Sequence, residues 1–225
     1  GLKHAIGCKD FTNDAGWHGR WELGRNLTAM LESALYDSGR FVIVEREQLG
    51  DVLQEQDLAA SGRAAKAKDA ARRGKIRPAK YIASGSVAEV SEGQSGGNAG
   101  INTPFGRIGG SASKAQISVI VKLIDTTTGE IAAKERIVGK AGRTGLNLSN
   151  LRIPGTSTSL DLGGFKKTPI GQAAQDCIAQ AAKFIARQME EFPFEGSVIQ
   201  VDSRGRVLIN RGSEFGVETG QVLAM

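Results

Sequence analysis

Apolar positions over residues 2–11 read as a strand, and the chain then turns polar from Thr12 to Arg20. Next, Leu23, Leu27, Met30/Leu31 and Ala34/Leu35 recur at helical spacing, with Gly39 as a stop. Phe41–Val44 is a short apolar strand. The pattern predicts a second helix over about 46–60, with Leu49, Val52/Leu53, Gln56 and Ala60 on one face. Tyr81–Val90 and Gln116–Asp125 read as strands, and a Thr-rich turn leads to a return strand starting at Ile131. A last amphipathic helix spans 170–191 through Ala174, Cys177/Ile178, Ala181/Ala182 and Ile185, and Pro193 closes it. After Phe192-Pro193-Phe194, short strands at 196–201, 206–210 and 220–224 suggest a small β module. The fold class is thus an α/β (α+β) domain over 1–191, with a mixed sheet and flanking helices, followed by an SH3-like β module over 192–225.

Two stretches break this regularity, about 91–115 and 134–168. Loops beyond about 12–15 residues are uncommon in compact domains. The first stretch holds seven glycines and only Glu92, Arg107 and Lys114 as charges. The second alternates Leu146/Leu148, Leu151/Ile153 and Leu160/Leu162 with polar residues. Period 2 puts those leucines on one sheet face. A pair of mobile surface loops is one reading. The other is a pair of inserted β-hairpins whose outward residues would be Phe105, Ile108, Leu146, Leu148, Leu151, Ile153, Leu160, Leu162 and Phe165. One hairpin cannot span a bilayer, because its edges would stay unpaired in lipid. Such hairpins would need several copies to close a transmembrane β-barrel, so this reading implies a homo-oligomer.

Composition narrows the classes. Glycine numbers 30 in 225 residues, aromatics are 5%, and no apolar run approaches the roughly 18–20 residues of a helical span. The net charge is +5. Residues 63–80 carry eight basic residues against Asp69 without aromatic interleaving, which reads as a solvated Ala/Lys/Arg helix more readily than as a nucleic-acid patch. Residues 136–171 carry Arg136, Lys140, Arg143, Arg152, Lys166 and Lys167 against Asp161. Repeated around a ring, Arg143, Arg152, Lys166 and Lys167 would make a basic lumen or rim that favours acidic passengers. Cys8 and Cys177 match no metal or redox spacing, and Cys8 reads as a buried small hydrophobe. Gly106-Arg-Ile-Gly109-Gly110 lacks the strand and helix context of a phosphate loop. No catalytic constellation is evident, so the chain reads as a non-enzyme without cofactor or metal. The strand-like start at Gly1 suggests a preceding leader.

The order of parts resembles a known family. The runs Leu27–Leu35 (LTAMLESAL), Gly39–Arg46 (GRFVIVER) and Leu53–Gln56 (LQEQ) are similar to the CsgG-like curli secretion channels. So are Ile82–Val87 (IASGSV), Ser95–Gly97, and Val119–Ile131 (VIVKLIDTTTGEI). The similarity covers about residues 1–190, whereas the tail resembles the C-terminal module of flagellar ring accessory proteins. The resemblance implies a lipoprotein with a periplasmic α/β domain in a ring of about nine subunits. Each subunit would give two hairpins to an outer-membrane pore that exports unfolded curli-type or other fibre proteins by diffusion. Implied partners are the exported chain, outer-membrane lipid and a periplasmic accessory protein, and no nucleic acid. The loop after the first strand would form the constriction, with Asn13, Trp17 and His18 by position. Trp17 and Trp21 packing as a lid on the core is the alternative for that loop. A ring or scaffold accessory protein without a pore is the alternative for the whole.

Overall fold

The computed structural model describes residues 2–64, 70–93, 101–103, 106–108, 114–142 and 162–222. At 93, 101–103, 106–108, 114, 162 and 163 only the backbone is described. Five strands form one mixed sheet in the order β2-β1-β3-β6-β7. They are β1 (His4–Cys8), β2 (Phe41–Ile43), β3 (Tyr81–Gly93), β6 (Lys114–Asp125) and β7 (Ile131–Lys140). β1 pairs in parallel with β2 and β3, while β3, β6 and β7 form an antiparallel meander. A short pair, β4 (Ile101–Thr103) and β5 (Gly106–Ile108), lies between β3 and β6 in sequence.

Helices α1 (Leu23–Asp37) and α4 (Pro169–Glu191) cover one face of the sheet. Their buried sides are those the spacing predicts: Leu23, Leu27, Met30, Leu31 and Leu35 in α1, and Ala174, Cys177, Ile178, Ala181 and Ile185 in α4. α1 ends as Gly39 enters the left-handed region at φ +64°, where a side chain would be strained. α4 starts on Thr168, whose hydroxyl accepts from the Gly171 N–H at 3.0 Å, with Pro169 pre-set for the first turn. Gly139 lets α4 lie directly on β7, since a Cβ there would sit 2.1 Å from the Ala173 carbonyl oxygen. Both thiols are buried, and burial pushes the Cys177 pKa up to about 12 and that of Cys8 higher still.

Several expectations change. The second irregular stretch is narrower than 134–168, because 134–140 belong to β7 and 162–167 form helix α3 (Leu162–Lys167). Residues 70–80 are not helical. Instead Arg73 pairs with Asp57, Arg77 with Glu214, and Lys80 with Asp125. Helix α2 (Leu49–Ala60) forms, yet of its expected face only Gln56 is buried.

The C-terminal segment gives hairpin β8 (Val198–Val201) and β9 (Val207–Ile209) and a 3₁₀ turn, Ser213–Phe215. Gly220–Val222, the described part of the expected third strand, is not strand. Phe215 enters a second small core with Ala5, Val44 and Ala79, beside Val42, Ile82 and Phe194. The Arg77 and Arg211 guanidinium groups lie over its ring at 5.1 and 4.6 Å. The Phe192–Phe194 stretch is docked, with Phe192 stacked on Tyr81 and Phe194 set edge-on to His4.

Candidate functional site

The loop from β1 to α1 is built on the edge of β3. Past Cys8 the chain continues alongside β3: the Lys9 N–H donates to the Ala83 carbonyl at 2.9 Å, Thr12 to Gly85 at 3.0 Å, and Ala15 to Val87 at 2.8 Å. Phe11 is the anchor. It is buried, and its N–H donates to Thr28 Oγ1 at 3.0 Å. Its ring lies against Gly85, where an added Cβ would come within 2.4 Å of Phe11 Cε1 and of the Ile120 carbonyl oxygen.

Beyond Phe11 the loop closes on itself. The Asn13 amide donates to the Trp17 carbonyl at 2.7 Å and its oxygen accepts from the Trp17 N–H at 3.2 Å. Trp17 rests half-buried on the core, and its ring overlies Gly19 so closely that a Cβ would fall 1.9 Å from it. His18 is exposed. Asn13 and Trp17 are thus brought together, while His18 projects to solvent. Trp21 packs on Phe165, with ring centroids 5.6 Å apart, and the Arg20 guanidinium covers its ring. Both tryptophans therefore touch the core, as the lid alternative expects.

Phe165 does not serve as an outward hairpin residue. It is fully buried in the main core. A six-residue helix carries it there, and the Gly171 backbone sits against the Phe165 carbonyl with no room for a Cβ. Leu162 lies on α3 and not on a strand. Ile108 lies on β5, opposite Ile101. Phe105, Leu146, Leu148, Leu151, Ile153, Leu160, Arg143 and Arg152 lie outside the described residues. Lys167 is exposed and Lys166 half-buried, its pKa lowered by burial against the opposing pull of Asp37.

The pairing puts the points where both interrupted stretches leave the sheet at one end of it. Gly93 pairs with Lys114, and Gln116 with Lys140. The chain thus leaves β3, enters β6 and leaves β7 at the same end. The parallel run of residues 9–15 along β3, and the Trp21–Phe165 contact, carry the β1–α1 loop towards that end.

A cleft of about 420 Å³ opens beyond β1, lined by Cys8, Asp10, Thr28, Glu32 and Glu47 among others. Burial, and then the carboxylates of Glu45, Glu47 and Asp10, push the Glu32 pKa up to about 7. Among the described residues no three His, Cys, Asp or Glu side chains are grouped to hold a metal, and no helix is long and apolar enough to cross a membrane. Sequence reasoning missed Phe11, Thr28 and Gly85, which position the loop. The only signal for them was an aromatic residue just past the strand and a glycine inside the next one.

Comparison with known proteins fits this architecture. The family model described as "Curli production assembly/transport component CsgG" matches residues 2–203. The chain belongs to the CsgG family. The hypothetical protein CT253 from Chlamydia trachomatis has the same fold, at TM-score 0.50 and 11% identity, over 84% of this chain and 99% of that one. A PelC dodecamer from Paraburkholderia phytofirmans matches at TM-score 0.35 and 14% identity, over 79% of this chain and 85% of that one. Lipoprotein GNA1162 from Neisseria meningitidis matches at TM-score 0.38 and 9% identity, over 84% and 99%. A search of curated proteins found no match.

Proposed function

We propose that this chain is a subunit of an outer-membrane secretion channel, built as a ring of identical copies. Each copy would give two hairpins to a shared β-barrel, one from 91–115 and one from the stretch after Gly142. The α/β domain would sit in the periplasm, and the passenger would be an unfolded extracellular fibre protein moving by diffusion. The supporting observation is topological: within a CsgG-family fold, both interrupted stretches leave one end of the meander, and the β1–α1 loop runs towards it. A barrel spread over several chains needs its strands to leave each subunit in one direction, because lipid leaves no partner for an open edge.

In this reading Asn13, Trp17 and His18 form the constriction. The Asn13–Trp17 bonds hold the loop in a fixed shape, which suits a passage that excludes folded cargo but passes an extended chain. Lys166 and Lys167, with Arg143 and Arg152, make the rim basic and favour acidic passengers. Residues 192–225 act as an accessory module fastened by Phe215.

Particle images of the protein purified in detergent test this. The expected result is a closed ring with a central barrel, lost when 95–110 and 144–160 are both deleted while the α/β domain stays folded. A closed ring without a barrel, stable without detergent, would instead mark a periplasmic scaffold.

A further inference from the structure

Among the described residues, two apolar surfaces stand open. The first is α2. Its spacing is amphipathic, and a helix of that kind normally rests its apolar stripe on a sheet or a neighbouring helix. Here Val52 is 39% exposed and Leu53 48%. The second is the β8–β9 hairpin. Opposite residues of an antiparallel pair share a face. Val198 faces Ile209 and Val201 faces Val207, with one extra residue bulged between the pairs, so all four lie on one side. Val198 is 50% exposed and Val201 59%. A lone two-stranded hairpin is marginal in water, and an open aliphatic face of this kind marks an interaction site.

The two surfaces match in size. A helix of twelve residues is about 18 Å long and about 10 Å across. A two-stranded ribbon of one four-residue and one three-residue strand is about 10–13 Å long and close to 10 Å wide with its side chains. They also match in charge. α2 carries Asp51, Glu55 and Asp57 and no cation; Asp57 is taken up by Arg73, which leaves Asp51 and Glu55 for a partner. The hairpin and its flanks carry Arg204, Arg206 and Arg211 against Glu195 and Asp202, with Arg206 paired to Asp202 and Arg204 and Arg211 outside that pair.

We propose that α2 of one copy lies across the β8–β9 face of a second copy, aliphatic stripe on aliphatic face, with the α2 carboxylates beside the hairpin arginines. The C-terminal segment is then part of the assembly interface, and Phe215 is what holds it in position for the neighbour. This rests on the reading of the chain as a homo-oligomer.

Two differently tagged chains test it, one carrying Leu53→Cys and the other Val207→Cys, mixed under mild oxidation. Cys8 and Cys177 are buried and stay out of the reaction. The expected product is a disulfide joining the two tags, at least tenfold more abundant than either same-tag disulfide. If oligomers persist on gel filtration but only same-tag products form, the interface is refuted and the ring reading stands. If neither oligomer nor cross-link appears, both fail. Reversing the charge of α2 (Asp51→Lys with Glu55→Lys) should weaken association at least tenfold. Adding Arg204→Glu in the same chain should restore much of it. Unchanged association in the α2 variant overturns the charge match.

Discussion

The position of the β1–α1 loop depends on a missing side chain, and Gly85→Ala probes it. The new methyl would start 2.4 Å from the Ile120 carbonyl oxygen and 2.4 and 2.8 Å from two carbons of the Phe11 ring. Carbon atoms rest at about 3.5–4.0 Å, so roughly 1 Å of movement is required. The Ile120 oxygen is backbone in the middle strand of the meander and cannot yield cheaply. The Phe11 ring is the part that moves, and it carries residues 12–20 with it. Overpacking of this size costs about 1–3 kcal/mol, a large share of the 5–15 kcal/mol that holds a typical domain together. The assay is built into the chain. Its only two tryptophans, Trp17 and Trp21, both lie on this loop and touch the core. In urea titration the variant should lose about 1–3 kcal/mol, and its tryptophan emission in buffer should shift to the red. Phe11→Leu removes the ring carbons in conflict, so the double variant should show a coupling of at least about 0.5 kcal/mol. The residual cost then belongs to Ile120. An unchanged urea midpoint together with unchanged emission would refute the account of how the loop is held.

Phe165→Ala should cost about 3–5 kcal/mol in thermal or chemical unfolding, as for any large buried aromatic; a change near zero would return Phe165 to an outward face. Glu32 titrates at about 7 when folded against an ordinary 4.5, so the folded state holds its proton more tightly. Its contribution is full below pH 4.5 and is lost as pH rises through 7. Glu32→Gln should therefore stabilise by about 1 kcal/mol at pH 8, discounted for its half-exposure, and little at pH 4.5; equal effects at both pH values would contradict this. Phe215→Ala should release the C-terminal segment, so that limited trypsin cleavage at Arg204, Arg206 and Arg211 speeds up at least tenfold while α4 stays protected; unchanged cleavage would mean that the other contacts hold the segment.

Much of the framework was legible because period and burial agree. α1 and α4 each bury one stripe, and a 3.6-residue repeat reports such a stripe faithfully. β7 was legible only at its start. It is an edge strand, and Lys134, Glu135 and Arg136 on its exposed middle hide the alternation. Phe165 was misplaced because a six-residue helix with two glycines is too short to show a helical period, whereas Leu160 and Leu162 imitate a strand. The Ala-rich basic stretch looked helical by propensity. In its described part, Arg73, Arg77 and Lys80 instead reach separate acidic partners at Asp57, Glu214 and Asp125. For the candidate site, position was legible but shape was not. The polar run 12–20 announced a loop, yet its closure through Asn13 and its anchoring by Phe11 depend on contacts with Trp17, Thr28 and Gly85. Phe215 gave no periodic signal at all, since a single aromatic in a polar turn carries none.

The central claim is that copies of this chain make a pore, and single-channel recording in planar bilayers tests it most directly. Detergent-purified oligomer should give discrete, long-lived conductance steps that disappear when 95–110 and 144–160 are deleted and that change in size with Trp17→Ala. A purified ring that never conducts, or one whose conductance survives the double deletion, would contradict the account.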